Sequence, residues 1–155
     1  MRPIVFMLAV VALLSLAAIV YGGGRPEITG KWVKVGANPE ECACGDCIDI
    51  PLEGKLVPFC VESNQIYLNV RYELDERQGK VYILFDSVLE VGTGGAALPW
   101  DKYDKQEPLA ELDVNNVRSG RMSVRWFGFR RKDKHQEQYV FGSDYSGIYR
   151  RRAAK

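Results

Sequence analysis

The strongest constraint on the fold is an alternation of apolar and polar residues at positions 66–74. Apolar side chains occupy every second position, namely Ile66, Leu68, Val70, Tyr72 and Leu74. A period of two is typical of a β-strand with one face in a core and the other in water. A polar turn follows at residues 76–79, and an apolar segment rich in strand formers comes next at 80–91. The sequence therefore predicts an antiparallel hairpin here.

Similar short strands are predicted along the rest of the chain, at residues 28–35, 56–61, 112–114, 122–126, 139–141 and 147–149. Turn residues separate them, and no segment has a sustained helical period. We expect an all-β domain, built as a small antiparallel barrel or sandwich of about seven or eight strands. A barrel is favoured because closure removes exposed sheet edges.

The N-terminus carries a pattern typical of export. Met1-Arg2 precedes an apolar run at residues 4–21, and Gly22-Gly23-Gly24 ends the run. The pattern predicts either a cleaved signal peptide or an N-terminal membrane anchor at residues 1–24, because the run is close in length to a short membrane span. Residues 25–155 then form a single domain that is periplasmic, secreted or tethered outside the cytoplasm. Membrane contact is expected only through residues 4–21, if they are retained.

Four cysteines, Cys42, Cys44, Cys47 and Cys60, lie in a loop at residues 38–60. An even number of cysteines outside the cytoplasm predicts disulfides. A bridge between Cys42 and Cys44 would be strained. Two pairings stay open: Cys42–Cys60 with Cys44–Cys47, or Cys42–Cys47 with Cys44–Cys60. The alternatives are a zinc site with all four sulfurs as ligands, or a redox-active Cys44-x-x-Cys47 pair, and either would indicate an enzyme.

Both ends of the domain resemble the calycin pattern of lipocalin-like small β-barrels. Gly30-Lys31-Trp32 begins the first strand, and Arg150, Arg151 and Arg152 end the last one. The resemblance implies that Arg150 or Arg152 packs over Trp32 and closes one end of the barrel. A lipocalin-like carrier would enclose a small apolar ligand in a cavity lined by Leu68, Val70, Ile83, Phe85 and Trp126.

A shorter motif, Ser146-Gly147-Ile148-Tyr149, resembles the Ser-Gly-x-Tyr motif of periplasmic lysozyme inhibitors. Those are small exported β-proteins that insert a loop into the lysozyme cleft. The resemblance implies that Ser146 and Tyr149 belong to a binding loop. The alternative is that both residues serve the last strand and the turn before it.

The formal net charge is +1, but the charge is unevenly distributed. Residues 117–155 carry 11 Lys or Arg and 3 acids, whereas residues 23–116 carry 9 and 17. Outward arginines such as Arg121 and Arg125 are expected beside acids on neighbouring strands. Alternatively, the basic turn with Arg130, Arg131 and Lys132 meets an anionic ligand, a membrane surface or an acidic partner. Nucleic acid is not an expected partner in this compartment.

Catalytic patterns are scarce. The single histidine, His135, lies in a charged turn rather than in a predicted cleft. We therefore expect no enzymatic activity, no cofactor and no metal, and a binding or inhibitor module of the cell envelope. Its contact surface would be two rim loops at residues 91–108 and 130–138, with Trp100, Tyr103 and the basic turn as exposed contacts for a protein or small ligand.

Overall fold

The computed structural model describes residues 28–51, 55–62, 66–134, 138–139 and 141–152. The predicted export segment at residues 1–24 and His135 lie outside these ranges. Within them, the only helical elements are one four-residue turn at Thr93–Ala96 and two three-residue 3-10 turns. No described helix has the length and apolar character to cross a bilayer. The prediction of an all-β protein is confirmed.

Ten described strands form two antiparallel sheets. In chain order they are β1 (Gly30–Lys34), β2 (Cys47–Ile50), β3 (Val57–Glu62), β4 (Ile66–Asp75), β5 (Lys80–Val91), β6 (Pro108–Asp113), β7 (Arg121–Trp126), β8 (Phe129–Arg130), β9 (Gln138–Tyr139) and β10 (Gly147–Arg151). Eight of them form one curled sheet with the order β2-β1-β10-β7-β6-β5-β4-β3, and β8 pairs with β9. The sheet has the shape of a half-barrel rather than a sandwich.

The predicted hairpin is the longest ladder of the sheet. Strands β4 and β5 pair antiparallel from Ile66↔Val91 to Asp75↔Lys80, with two register shifts. The apolar positions Ile66, Leu68 and Val70 are buried. The alternation in the sequence therefore reports which face of β4 lies in the core.

Side chains from distant strands meet in the interior of the sheet. Phe59 of β3 stacks on Trp126 of β7, with 5.9 Å between ring centres, and Tyr145 packs against both rings. The residues that a carrier would use to line a cavity, Leu68, Val70, Ile83, Phe85 and Trp126, all belong to one buried cluster. In the described part of the chain, these side chains contribute to a packed core.

Strands β2 and β3 occupy the two edges of the sheet, and no ladder joins them among the described residues. A disulfide between Cys44 and Cys60 connects the segment before β2 to β3. The segment at residues 143–145 also lies against β3. The Ser143 N–H donates to the Val61 carbonyl at 2.7 Å, and the Tyr145 hydroxyl donates to the Cys60 carbonyl. We call this junction the seam.

The two ends of the sheet differ in their connections. The N-terminal end contains the first described residues, the turns at 76–79 and 114–120, and residues 150–152. The opposite end, which we call the aromatic end, contains the longer segments at 35–46 and 92–107 and the described residues at 127–134, 138–139 and 141–146. The ladders place β1 with β10, and β10 with β7, so residues 30–32, 120–121 and 150–152 lie together.

Candidate functional site

The four cysteines form two disulfides, Cys42–Cys47 and Cys44–Cys60, with Cα–Cα distances of 5.3 and 5.4 Å. This is one of the two pairings that the sequence left open. Because every sulfur is bonded to another sulfur, the alternative zinc site is wrong. The alternative redox pair Cys44–Cys47 is wrong for the same reason. Two disulfides are typical of a protein that matures in an oxidising compartment.

Tyr149 of the Ser-Gly-x-Tyr motif lies beneath the disulfide loop and is fully buried, with 0 % exposure. Its hydroxyl lies 2.7 Å from the Gly45 carbonyl and 3.0 Å from the Tyr145 carbonyl, both acceptors. Burial raises the pKa of Tyr149 and keeps the phenol neutral. Ser146 accepts a hydrogen bond from the Trp126 backbone N–H at 3.1 Å. In this structure, both motif residues support the strand and its neighbours.

Gly45 and Gly142 permit close packing at the seam. Both have positive φ angles, +88° and +79°. A Cβ at Gly142 would lie 2.4 Å from the Val61 carbonyl oxygen, and one at Gly45 would lie 3.1 Å from the Asp144 carbonyl oxygen. Both the backbone conformation and the available space therefore require glycine at these positions.

An arginine packs over Trp32, but it is neither of the two that the calycin resemblance implies. The Arg151 guanidinium lies 5.0 Å from the Trp32 ring centre. Trp32 stands opposite Arg151 in the β1–β10 ladder, whereas Arg150 stands opposite Val33. Directly opposed residues share one face of a sheet. The implied packing of Arg150 or Arg152 over Trp32 is therefore wrong, because Arg151, which lies between them in the chain, occupies that position.

A cluster of aromatic rings organises the aromatic end. The ring centres of Trp100 and Tyr103 are 5.7 Å apart, those of Tyr103 and Phe129 are 5.0 Å apart, and those of Phe129 and Phe141 are 4.7 Å apart. Trp100 is half-buried and donates from Nε1 to the Gly95 carbonyl at 2.8 Å. Tyr103 is 1 % exposed, so the expectation that it is an exposed contact is wrong.

The two predicted rim loops meet above this cluster and form one surface. Asp104 N–H donates to the Arg130 carbonyl at 2.7 Å, and Lys132 N–H donates to the Lys102 carbonyl at 2.9 Å. Tyr103 and Arg131 form an isolated antiparallel bridge between them. We call residues 100–107 and 129–134 the rim platform.

The basic side chains of the rim platform include two paired arginines and three exposed lysines, and the platform also carries acids such as Asp101 and Asp104. Arg130 lies 3.4 Å from Glu107, and Arg131 forms a bidentate contact with Asp133. Those hydrogen bonds lower the pKa of Asp133. The side chains of Lys102, Lys105 and Lys132 are exposed, and the Lys132 ammonium donates to the Asp101 carbonyl at 3.2 Å.

A second group of charges lies on the outer face of β5, β6 and β7. The Lys80 ammonium lies 3.1 Å from Glu111 and 3.0 Å from Asp113, and Arg125 lies 3.6 Å from Glu111. These hydrogen bonds raise the pKa of Lys80 and lower that of Asp113. The predicted pairing of Arg125 with an acid on a neighbouring strand is confirmed.

Arg121 does not follow the same pattern. It stands directly opposite Arg150 in the β7–β10 ladder, and both side chains are exposed. Within the described ranges, no ion pair includes either of them. The expectation that Arg121 lies beside an acid is therefore wrong. Strands β7 and β10 are not consecutive, so their register could not be inferred from the sequence.

No protein-family model, curated protein or solved structure matches the sequence. The described residues also contain no group of three or more His, Cys, Asp or Glu side chains that could hold a metal ion. Functional inference therefore depends on the surfaces of this chain, of which the rim platform and the arginines at the N-terminal end are the two candidates.

Proposed function

We propose that this protein is an exported, non-enzymatic binding module of the cell envelope that contacts an acidic protein surface through the rim platform. The observation that carries the proposal is the joining of two separate loops into one surface. Backbone hydrogen bonds of 2.7 and 2.9 Å connect them above a packed aromatic cluster. A surface held in this way loses little conformational entropy on binding.

Charge supports an acidic partner. Arg130 and Arg131 are engaged by carboxylates of the platform itself, so they are already partly neutralised. Lys102, Lys105 and Lys132 are exposed, and the Lys132 ammonium donates to the carbonyl of Asp101, the residue after the half-buried Trp100. Trp100 and the two arginines belong to residue types that are enriched at protein interfaces. The lysines would steer association with a surface of opposite charge.

Charge reversal on the platform tests the proposal. Tagged full-length protein is cross-linked in its native envelope, as wild type, as Lys102→Glu/Lys132→Glu, and as the control Lys55→Glu/Arg77→Glu. The control makes the same change in charge at exposed residues away from the platform. We expect a discrete protein partner with the wild type and the control but not with the platform variant. Identical capture by all three proteins would contradict the proposal.

A further inference from the structure

We propose that the N-terminal end of the domain docks, through Arg118, Arg121 and Arg150, on the anionic lipid surface of the membrane in which residues 4–21 are retained. This surface lies at the opposite end of the sheet from the rim platform. The proposal concerns the anchored form of the chain and does not depend on the platform's partner.

The first observation is the arrangement of the three arginines. Arg121 and Arg150 are directly opposed on neighbouring strands, and Arg118 precedes Arg121 by one turn, in Val117–Ser119. All three side chains are exposed. Like charges that face each other across strands oppose folding. Nearby negative charge outside the domain would remove this repulsion, which no described ion pair does.

The second observation is the position at which the chain enters the domain. The Trp32 indole donates to the Ile28 carbonyl at 2.9 Å and so fixes the first described residue beside β1. Arg151, which packs over the same indole, donates its N–H to the Gly120 carbonyl at 3.1 Å. Ile28 is therefore held at the same end of the sheet as residues 118–121 and Arg150.

The third observation is the short distance along the chain to the apolar run. Six residues, 22–27, separate that run from Ile28, and three of them are glycines. Six residues reach at most about 20 Å even when fully extended. If residues 4–21 remain in a bilayer, the arginine cluster is therefore held close to the headgroups.

Together these observations favour lipid over an acidic protein at this end. A tether of this length keeps the membrane surface at a high effective concentration, whereas a soluble partner has to bind from solution. Each arginine near an anionic bilayer strengthens the attraction about fivefold, and salt weakens it. Docking would direct the rim platform away from the membrane, because the two surfaces lie at opposite ends of the sheet.

Hydrogen exchange of the full-length chain in lipid nanodiscs tests the proposal. The discs contain phosphatidylcholine alone or phosphatidylcholine with phosphatidylglycerol. The reporters are the backbone amides of Ser119, Gly120 and Arg121, which belong to the exposed turn before β7. We expect exchange at these amides to slow several-fold in the anionic discs at low salt and to recover at high salt.

Matched variants distinguish docking from a general effect of charge. Arg121→Glu/Arg150→Glu should abolish the slowing, and Lys102→Glu/Lys132→Glu, with the same change in charge at the other end, should retain it. The single variant Arg121→Gln, which keeps the strand geometry, should reduce it partially. Equal exchange in both kinds of disc, or slowing that persists in the double arginine variant, would overturn the proposal. Slowing only upon addition of a soluble acidic protein would indicate a different partner and overturn it too.

Discussion

The two ends of the sheet are stabilised in different ways. At the aromatic end, long connections are held by buried rings and by the two disulfides close to the seam. At the N-terminal end, short turns connect the strands, and the charged groups around Lys80 and Asp113 are paired in the open. Long connections need burial or cross-links to become ordered, because each ordered residue loses conformational entropy. Short turns have fewer residues to order, so they need less burial and no cross-links. Their side chains are therefore available for other contacts.

The largest loss of stability should come from removing an aromatic ring at the aromatic end. Phe129→Ala deletes a side chain with 0 % exposure that contacts Tyr103, Phe141 and Trp126. Large-to-small changes of this kind cost about 3–5 kcal/mol. Denaturant unfolding of the wild type and of Phe129→Ala measures the difference in the free energy of unfolding. Phe127→Ala is the control, because that ring is half-buried and lies 4.8 Å from the Arg125 guanidinium, outside the cluster. Equal losses for both variants would contradict the special role of the cluster.

The next effect should come from the disulfide at the seam. Cys44→Ser/Cys60→Ser opens a loop whose ends are 16 residues apart, and Cys42→Ser/Cys47→Ser opens one whose ends are 5 apart. The loop-entropy relation gives about 3 and about 2 kcal/mol for these cross-links. The larger loss should follow removal of Cys44–Cys60, as measured by thermal and denaturant unfolding. A larger loss for the other pair would show that the edges of the sheet are held mainly by other contacts.

Two buried tyrosines, Tyr149 beside the seam and Tyr103 in the aromatic cluster, differ in their hydrogen bonding. The Tyr149 hydroxyl has two carbonyl partners, whereas the Tyr103 hydroxyl has no hydrogen-bond partner among the described residues. Tyr149→Phe should therefore cost about 1 kcal/mol, and Tyr103→Phe close to nothing. Comparable losses for both variants, measured by denaturant unfolding, would argue against this difference.

Tyr149 should also make the stability of the folded protein depend on pH in the alkaline range. Burial raises the pKa of Tyr149 in the folded protein, so the unfolded chain ionises first. Its contribution to stability is complete below about pH 10, the ordinary tyrosine pKa, and is lost as the pH rises above that value. Unfolding of Tyr149→Phe should show a shallower decline between neutral and strongly alkaline pH. An unchanged slope would contradict the prediction.

The smallest change in stability should come from the partly exposed ion pairs of Lys80 and Asp113 at the N-terminal end. Hydrogen bonds from Lys80 and the Asn115 N–H lower the pKa of Asp113. The Asp113 carboxylate therefore stabilises the fold above the ordinary carboxyl pKa, and this stabilisation is lost as the pH falls through the lowered pKa. Because the group is partly exposed, Asp113→Asn should cost less than about 1 kcal/mol at neutral pH. The difference should disappear in acid, and its persistence there would contradict this assignment.

The β-sheet was largely predictable from the sequence, whereas its long-range pairings were not. Alternation at residues 66–74 predicts the β4–β5 hairpin because the side-chain period of a strand is local. The choice between two disulfide pairings depends on how the curled sheet brings Cys60 to Cys44. Arg121 faces Arg150, and Arg151 covers Trp32, because of registers between strands that are far apart in the chain. Local pattern carries no information about such registers.

The burial of Tyr103 in the rim platform also could not be predicted from the sequence. Tyr103 follows Asp101 and Lys102 and precedes Asp104, so its neighbours are typical of an exposed loop. It is buried because Phe129 and Phe141 arrive from other segments and cover its ring. Loop position alone is therefore a poor guide to which aromatic side chains a partner can touch.

The contacts at the seam also bear on how the chain avoids self-association. Unpaired carbonyls on an edge strand can template the addition of a strand from another molecule. Here the Ser143 N–H and the Tyr145 hydroxyl occupy the carbonyls of Val61 and Cys60. The Cys44–Cys60 bond joins the disulfide loop to β3, and Gly45 of that loop lies against Ser143 and Asp144 of the covering segment. We therefore expect molecules in which this bond has not yet formed to be more prone to strand addition than the oxidised protein.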